Sequence, residues 1–513
     1  MAGRQDDRLE RTTNAELRLP NRWDIPTRIF ANPDIPLEAV AIDELESVLR
    51  IQETVSSLQS VQPDFFDAAD PRVLEVVLTP DFHKGAGIPI GTVLATRGFA
   101  VPQAIGNDVN CGMRLMATAL TYDQVRPRLD ELDRALRHTF FEGGRNIPMT
   151  PVQRDALVRQ GLPGLIDTAG EASKQGLWAG IDADEEWANL DRMHGQGGYA
   201  TDGVYALGDY IKGTGGLSHD SMIGGLGGGN HFAEIQYVRK ILHGQAAYAW
   251  GLKEGQIVVM IHAGSLRLGH VTGNYVLDAM RRIYPAAASH PDNSIYPLPV
   301  GERFAVEFGK FLTSLRNAAN FAFGNRFFLA QMVRRGLEVA VGPTVCRVIY
   351  DAPHNLMWEE ELDGATAFVH RKGATPAGGW QQMQQTAYGH WGEPVIVPGS
   401  MGAASYLLLG KGNRQALCSA CHGAGRQMSR GEALKVDDEQ LDAFLRDFRV
   451  VTALDPNRPD VKQRRDIVEK WRQELKKEAP YAYKEITPVI ATLQEADIAQ
   501  PVVELYPLMT VKG

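Results

Sequence analysis

The stretch Cys418-Ser-Ala-Cys421-His422-Gly423-Ala424-Gly425-Arg426-Gln-Met-Ser429-Arg430 gathers a histidine, a small-residue turn and two arginines within a few positions. A turn of Gly423, Ala424 and Gly425 lets backbone N–H groups approach an anion closely. A helix starting there would add a partial positive charge. Arginine forks such as Arg426 bind phosphate oxygens in pairs, and a histidine beside such a cradle can attack phosphorus. These residues point to covalent phosphoryl or nucleotidyl transfer centred on His422. Three blander readings compete. C-x-x-C-H is also the c-type haem attachment signature; haem attachment needs export, and Met1-Ala-Gly-Arg-Gln-Asp-Asp-Arg-Leu-Glu has no apolar leader core. A zinc site on Cys418, Cys421 and His422 lacks a second C-x-x-C. A structural glycine turn needs no chemistry.

A second group of residues has the types that bind metals. Gly106-Asn107-Asp108-Val109-Asn110-Cys111-Gly112 places an aspartate and a cysteine three apart between glycines. They can converge on one ion, and a thiolate favours a borderline or soft divalent metal and can bridge two. The alternative is a turn with a buried cysteine. Gly224-Gly-Leu-Gly-Gly-Gly229-Asn230-His231-Phe232-Ala233-Glu234 is a glycine loop closed by Asn, His and Glu. It lacks the Gly-Lys-Ser/Thr of a P-loop. Asn230 and Glu234 can hold a ribose or phosphate while His231 binds metal; a plain glycine loop is the bland reading. His262 and His354 each follow an apolar run that reads as a buried strand. A lone strand-end histidine is usually structural, but loops after strands are where sheets place ligand-binding groups. The expected metal ligands are therefore Asp108, Cys111, His231, His262 and His354.

Further polar clusters fall on turns. His370-Arg371-Lys372-Gly373 is a local basic cluster able to meet phosphate, although a surface charge pair is commoner. Ser400 and Ser405, in Pro398-Gly-Ser-Met-Gly-Ala-Ala-Ser405, suit a purine edge or a phosphate. Asp81-Phe82-His83-Lys84-Gly85-Ala86-Gly87 follows a strand, but its glycines are out of register and Pro89 interrupts the next helix, so a dinucleotide fold is rejected.

The elements that must position these residues follow from pattern. Of 513 residues, 44% are hydrophobic and 22% charged, as in an ordinary globular protein. No run of 18 apolar residues predicts a membrane span. Four cysteines and no export signal predict a reducing cytoplasm. A net charge of −9 argues against broad polyanion binding by the whole surface but leaves room for a local basic channel. Residues 1–40, with Pro20, Pro26, Pro33 and Pro36, read as an irregular arm. Ile42 to Leu58 has helical spacing, and Val73 to Leu78 reads as a short strand. Residues 120–220 read as helical, then irregular, with Asp182 to Glu186 as a solvated face. Residues 301–339, carrying Asn317, Asn320, Asn325 and Arg326, read as helix, as do 437–448 and 459–478. The expected architecture is α/β, with mixed β-sheets and surrounding helices around a central cleft. Residues 41–513 form a single catalytic domain in this reading.

With these segments assembled, the chain resembles the RtcB family of RNA-splicing ligases from about Pro80 to Gly513. The motifs are PDFHKGAGIPIG, GNDVNCGMR, GLGGGNHFAE, IHAGS…LGH, APHN, HRKGAT with PGSMGAASY, CHGAGRxMSR, EAPxAYK and a closing KG. The resemblance implies a ligase that joins an RNA 3′-phosphate or 2′,3′-cyclic phosphate end to a 5′-hydroxyl end, using GTP and two manganese ions. It implies that His422 takes GMP as a phosphoramidate, passes it to the RNA 3′-phosphate, and that the 5′-hydroxyl displaces it. It implies Cys111 as the bridging metal ligand and Asp81 as a carboxylate needed for the RNA steps. It implies Asn230, Glu234, Asn355, Ser400, Ser405, Gly423, Ala424, Gly425, Arg426, Tyr483 and Lys512 as guanylate contacts. Arg267, Arg371 and Lys372 are the expected RNA contacts. The partners implied are RNA, GTP and an archease-type activator, acting on a monomer. Two positions depart from the pattern: Leu266 stands where the family usually has Arg after the Ser, with Arg267 following it, and Ala86 replaces a larger residue. The alternative is a self-guanylylating enzyme that caps or repairs RNA ends with weak joining.

Overall fold

The computed structural model describes residues 6–171, 175–213 and 222–513. Two large sheets organise it. One has seven strands in the order Glu10–Arg11, Glu16–Arg18, Thr27–Phe30, Arg72–His83, Ile90–Arg97, Ala365–Lys372 and Asn355–Leu362. Thr27–Phe30 runs parallel to Arg72–His83, and the other pairs are antiparallel. The second sheet runs Cys346–Pro353, Gly112–Thr121, Gln256–Ala263, Phe232–Ile241, Ala499–Val511, Ser405–Gly410 and Pro394–Val397, with Arg449–Val451 parallel to Ala499–Val511. The architecture is α/β with mixed sheets.

Strand Gln256–Ala263 shows why the central sheet is apolar on both faces. Ile257, Val259 and Ile261 point one way, into a core with Phe321, Phe327, Met332 and Leu337 of the helix Ala305–Ala340. Val258 and Met260 point the other way, against Trp250, Tyr388 and Leu407. Alternation with both faces covered is the expected pattern for an interior strand. The 36-residue helix is buried without interruption from Asn317 to Val333. It packs on the helices Leu129–Phe141, Pro151–Gln160 and Arg267–Ile283 as well as on the sheet.

Several expectations change. The stretch 1–40 is not an irregular arm where it is described: Leu17, Ile29 and Phe30 are buried in paired strands. Its prolines lie outside these strands, so they bound the strands without breaking them. Ile42–Leu58 is two helices, Ala39–Leu49 and Ile51–Val61, meeting at Arg50. The 459–478 helix is also two pieces, Pro459–Lys462 and Arg465–Lys477. The acidic run at 182–186 is not uniformly solvated. Asp182 caps Ala183–Leu190 by accepting from the Asp184 and Glu185 amides, and buried Glu186 accepts from Gln331 at 2.7 Å. The irregular reading of 120–220 includes 172–174 and 214–220, outside the described residues. Phe368–Lys372 lies within the buried strand Ala365–Lys372 and not on a surface turn. Among the described residues, no helix is long and apolar enough to cross a membrane.

Candidate active site

The ends of strands from both sheets meet at a cleft of about 550 Å³. Cys111 precedes Gly112–Thr121, His231 precedes Phe232–Ile241, His262 is the last but one residue of Gln256–Ala263, and His354 joins Cys346–Pro353 to Asn355–Leu362. Pairing of Gly112 with Ala263, Pro353 with Gly112, and Phe232 with His262 sets these ends side by side. The ligand atoms then form two groups sharing one cysteine: Cys111, His262 and His354, and Asp108, Cys111 and His231. Cys111 Sγ lies 3.2 Å from both His231 Nε2 and His262 Nε2, His262 Nε2 lies 3.2 Å from His354 Nε2, and Asp108 Oδ2 lies 3.0 Å from His231 Nε2.

These residues fit divalent metal. His231 Nδ1 faces the Leu226 carbonyl at 2.9 Å and His262 Nδ1 the Asn230 carbonyl at 3.2 Å. A carbonyl only accepts, so each Nδ1 carries the proton and each Nε2 turns a lone pair toward Cys111. Burial, with the neighbouring imidazoles, holds His262 and His354 well below the usual histidine range, which keeps them in the neutral ligand form. Burial and the Asp108 carboxylate push the Cys111 thiol up, a penalty that a bound cation reverses. Asp108 is fixed by Leu266 N–H at 2.9 Å and Ser265 Oγ at 3.3 Å. Leu266 donates from a strained backbone (φ 52°, ψ −129°) that favours glycine. Gly264 must be glycine because a Cβ there would sit 2.4 Å from Asp108 Oδ1.

His422 follows Ser419–Cys421, which pairs with Ala374–Pro376 and so lies beside His354. Its ring centroid is 4.5 Å from that of His354 and 6.3 Å from that of His262. Nδ1 lies 2.6 Å from Asp81 Oδ2 in a contact too bent for a straight hydrogen bond, while the His422 amide donates to the same oxygen at 3.3 Å. Burial alone would raise the Asp81 carboxyl, but His422 and the Thr79 hydroxyl outweigh it and hold it low. Gly425 (φ 77°) has no room for a side chain, since a Cβ would lie 2.1 Å from the Asp81 carbonyl oxygen. No helix starts at this turn: Arg430–Ala433 begins beyond it and has four residues.

Beyond the His422 turn the cleft is polar and basic. Lys512 donates to the Gly229 and His231 carbonyls, and burial lowers it to about 8. Burial pushes Glu234 up to about 7, although Thr510 and Gln236 hydrogen-bond to it. Arg426 spends its donors inside the protein, on Met428 O, Lys477 O, Glu478 and Tyr483, and so is not a free phosphate fork. Arg430, 56% exposed and, among the described residues, tied through Nε to Glu478 at 2.9 Å, keeps the freer guanidinium.

The structure brings most of the expected site residues to one surface. Asp108, Cys111, His231, His262, His354, Asn230, Glu234, Asn355, Ser400, His422, Gly423, Ala424, Gly425, Arg426, Tyr483, Lys512 and Lys372 line the cleft. Asp81 lies beneath His422. Ser405 is buried, its Oγ accepting from Gly399 N and Gln236. The Asn355 amide bridges loops, donating to Asp108 O at 3.1 Å and accepting from Gly373 N at 2.8 Å. Arg371 turns away: it is buried, bonded to Ser419, Leu417 O and Glu360, with its guanidinium over Trp358. Lys372 is buried too, donating to Ile88 O at 2.8 Å. Arg267 is exposed at the start of Arg267–Ile283, outside the cleft lining. Sequence reasoning assigned no role to Glu478, although the segment starting at it was noted; its carboxylate gathers Arg426, Arg430 and Tyr483.

Comparison with known proteins identifies the family. The family model "tRNA-splicing ligase RtcB" matches residues 68–513. The tRNA-splicing ligase RtcB of Thermococcus kodakarensis is 34% identical over 96% of this chain and 97% of its own length. That of Nanoarchaeum equitans is 30% identical over 96% and 98%. The RNA-splicing ligase RtcB homolog 1 of Entamoeba histolytica is 31% identical over 86% and 81%. With the motifs, the cysteine-centred ligand groups and this coverage in agreement, the chain belongs to the tRNA-splicing ligase RtcB family.

Proposed function

We propose that this protein is an RNA ligase that joins 3′-phosphate or 2′,3′-cyclic phosphate ends to 5′-hydroxyl ends, with GTP as co-substrate and His422 as the guanylylated nucleophile. The observation that carries this reading is the position of His422, 4.5 Å centroid to centroid from His354, in the cleft that holds both ligand groups. Asp108, Cys111, His231, His262 and His354 would hold two manganese ions, Cys111 being the residue common to both ligand groups. Bound there, the ions supply charge neutralisation for the phosphates.

The protein's own residues do the rest. Asp81 holds the Nδ1 side of His422, which leaves Nε2 to attack the α-phosphorus of GTP. The phosphorus–oxygen bond to pyrophosphate breaks and pyrophosphate leaves. An RNA 3′-phosphate oxygen then attacks the same phosphorus, and the P–N bond breaks with its electron pair returning to Nε2. Attack by the 5′-hydroxyl on the RNA phosphorus releases GMP and closes the strand; a cyclic end is first opened by water. Splitting one hard ligation into activated steps is the general gain of covalent catalysis. Glu234 and Lys512 offer an acceptor and a cation to the guanylate, and an unmet buried polar group penalises the wrong base. The four cysteines, all free, support a reducing cytoplasm as the place of action.

One observation favours a second reading. Arg267 stands outside the cleft and Leu266 gives its N–H to Asp108, so this loop places no cationic side chain in the cleft lining. The second reading is an end-capping or repair enzyme that guanylylates itself and RNA but joins weakly. Labelling with α-labelled GTP and manganese, wild type against His422→Ala, tests the first step. An acid-labile adduct that depends on His422 supports both readings, and no adduct on the wild type rejects both. Joining of paired RNA ends then separates them: multiple turnover supports the ligase, and accumulation of capped 3′ ends supports the second reading.

A further inference from the structure

The helix Ala305–Ala340 carries two adjacent polar residues, Asn325 and Arg326, both fully buried. Neither lines the cleft, yet their side chains end on every segment that delivers a metal-type ligand. Arg326 Nη1 donates to Asn110 O at 2.6 Å and to Ala263 O at 3.0 Å, and Nη2 donates to Asn110 Oδ1 at 3.1 Å. Asn110 adjoins Cys111, and Ala263 adjoins His262. Arg326 Nε donates to Asp351 Oδ1 at 2.9 Å, on the strand that leads into His354, and Arg114 Nε holds the other oxygen of Asp351 at 2.6 Å. Asn325 Nδ2 donates to Gly225 O at 3.0 Å and Gly264 O at 3.1 Å, and its Oδ1 accepts from Gly225 N at 3.1 Å. Gly225 belongs to the glycine loop that leads to His231.

We propose that Asn325 and Arg326 are positioning residues that fix the spacing of the two ligand groups, by clamping the segments bearing Asp108, Cys111, His231 and His262 through backbone carbonyls and the segment bearing His354 through the Asp351 carboxylate. The physical reason is that strand pairing sets the strand ends but not the loops that run into them. Asn110 sits at a positive φ of 52°, and Gly224, Gly227 and Gly229 are all at positive φ, so the loops have little intrinsic preference for one shape. Carbonyl oxygens in such loops need donors, and one guanidinium and one amide supply them from a single rigid helix. The planar fork also fixes angles, which a lysine ammonium does not. Groups that orient ligands in this way typically change metal affinity by about 10- to 100-fold when lost. The proposal rests on the reading of the five residues as metal ligands.

The test uses the full chain with Co²⁺ as a spectroscopic probe, following the thiolate-to-metal band and the affinity by titration. The variants are Arg326→Lys, Asn325→Ala and, as the control for the ligand reading, His262→Ala. The expected result is that Arg326→Lys and Asn325→Ala keep a cooperative thermal transition without metal, lose about 10- to 100-fold in Co²⁺ affinity, and shift the ligand-field spectrum. Wild-type binding and spectrum in both, with His262→Ala disrupted, overturns the positioning role and leaves the ligand reading intact. Wild-type binding in His262→Ala overturns the ligand reading and the proposal with it. Arg326→Lys can fail to fold because its charge is buried, and then Asn325→Ala decides; if both are unfolded without metal, the pair serves the fold and the proposal is wrong.

Discussion

Replacing Asp81 by Asn tests how His422 is aimed. The change is nearly isosteric, and Asp81 is fully buried with Thr79 Oγ already donating to Oδ1 at 2.7 Å, so the pocket keeps its shape. What goes is the negative charge 2.6 Å from His422 Nδ1. A contact to a charged group contributes about 1.5–3 kcal/mol, and its bent geometry here points to the lower part of that range. Each 1.36 kcal/mol is about tenfold in rate, so His422 guanylylation should slow by about 10- to 40-fold. The tautomer adds to the effect in the same direction: an amide N–H donated into Nδ1 would move the ring proton to Nε2 and remove the attacking lone pair. The assay is single-turnover labelling from α-labelled GTP, with a melting curve to show that the fold persists. Labelling at the wild-type rate, with only RNA joining impaired, would refute the argument that Asp81 acts through His422 and would confine its role to the RNA steps.

Two further outcomes follow from the same cleft. Glu234 is pushed up to about 7 and must be ionised to accept N–H donors from a guanine edge, so lowering the pH below 7 should weaken GTP binding by up to about tenfold per unit. Lys512, lowered to about 8, loses its charge above that value, so affinity should peak between about 7 and 8; calorimetry on wild type and Glu234→Gln checks this, and an unchanged acid limb in the variant would remove Glu234 from nucleotide binding. Gly425→Ala pairs a disfavoured φ with a Cβ 2.1 Å from the Asp81 carbonyl, and should lower stability by about 1–3 kcal/mol while slowing guanylylation; a variant with wild-type melting and labelling would show that the turn relaxes freely.

Much of the site was legible because its residues follow recognisable punctuation. His231 closes a glycine loop, His262 and His354 end apolar runs, and Cys111 sits between glycines. Such positions have few structural duties that call for those side chains. Arg371 misled because three polar residues in a row look like a surface, whereas its strand is covered on both faces and Glu360 neutralises it. Glu186 misled in the same way, being buried against Gln331 and Asn189. The strands before residue 31 were missed because each is at most four residues long, too short to show a period, and because Thr27–Phe30 pairs with a distant strand. Asn325 and Arg326 could be noticed but not interpreted, since their partners are mostly backbone groups, which carry no sequence signature, and the Asp351 carboxylate lies on a strand that sequence does not link to this helix.

Strand Ala499–Val511 lies in the interior of the second sheet, with Phe232–Ile241 on one side and Ser405–Gly410 on the other. The strands carrying the histidines are on the first side, and the Ser400 turn is on the second. Until this strand inserts, the sheet is two fragments with raw edges, and the half of the cleft around Cys111 and the half around Ser400 have no common frame. Both of its pairings join segments far apart in the chain, so the entropy of closing long loops falls before any contact repays it. The protein should therefore refold slowly and assemble its cleft late. In the interval its exposed edges are open to pairing between chains, which makes dilute, cool refolding the productive condition.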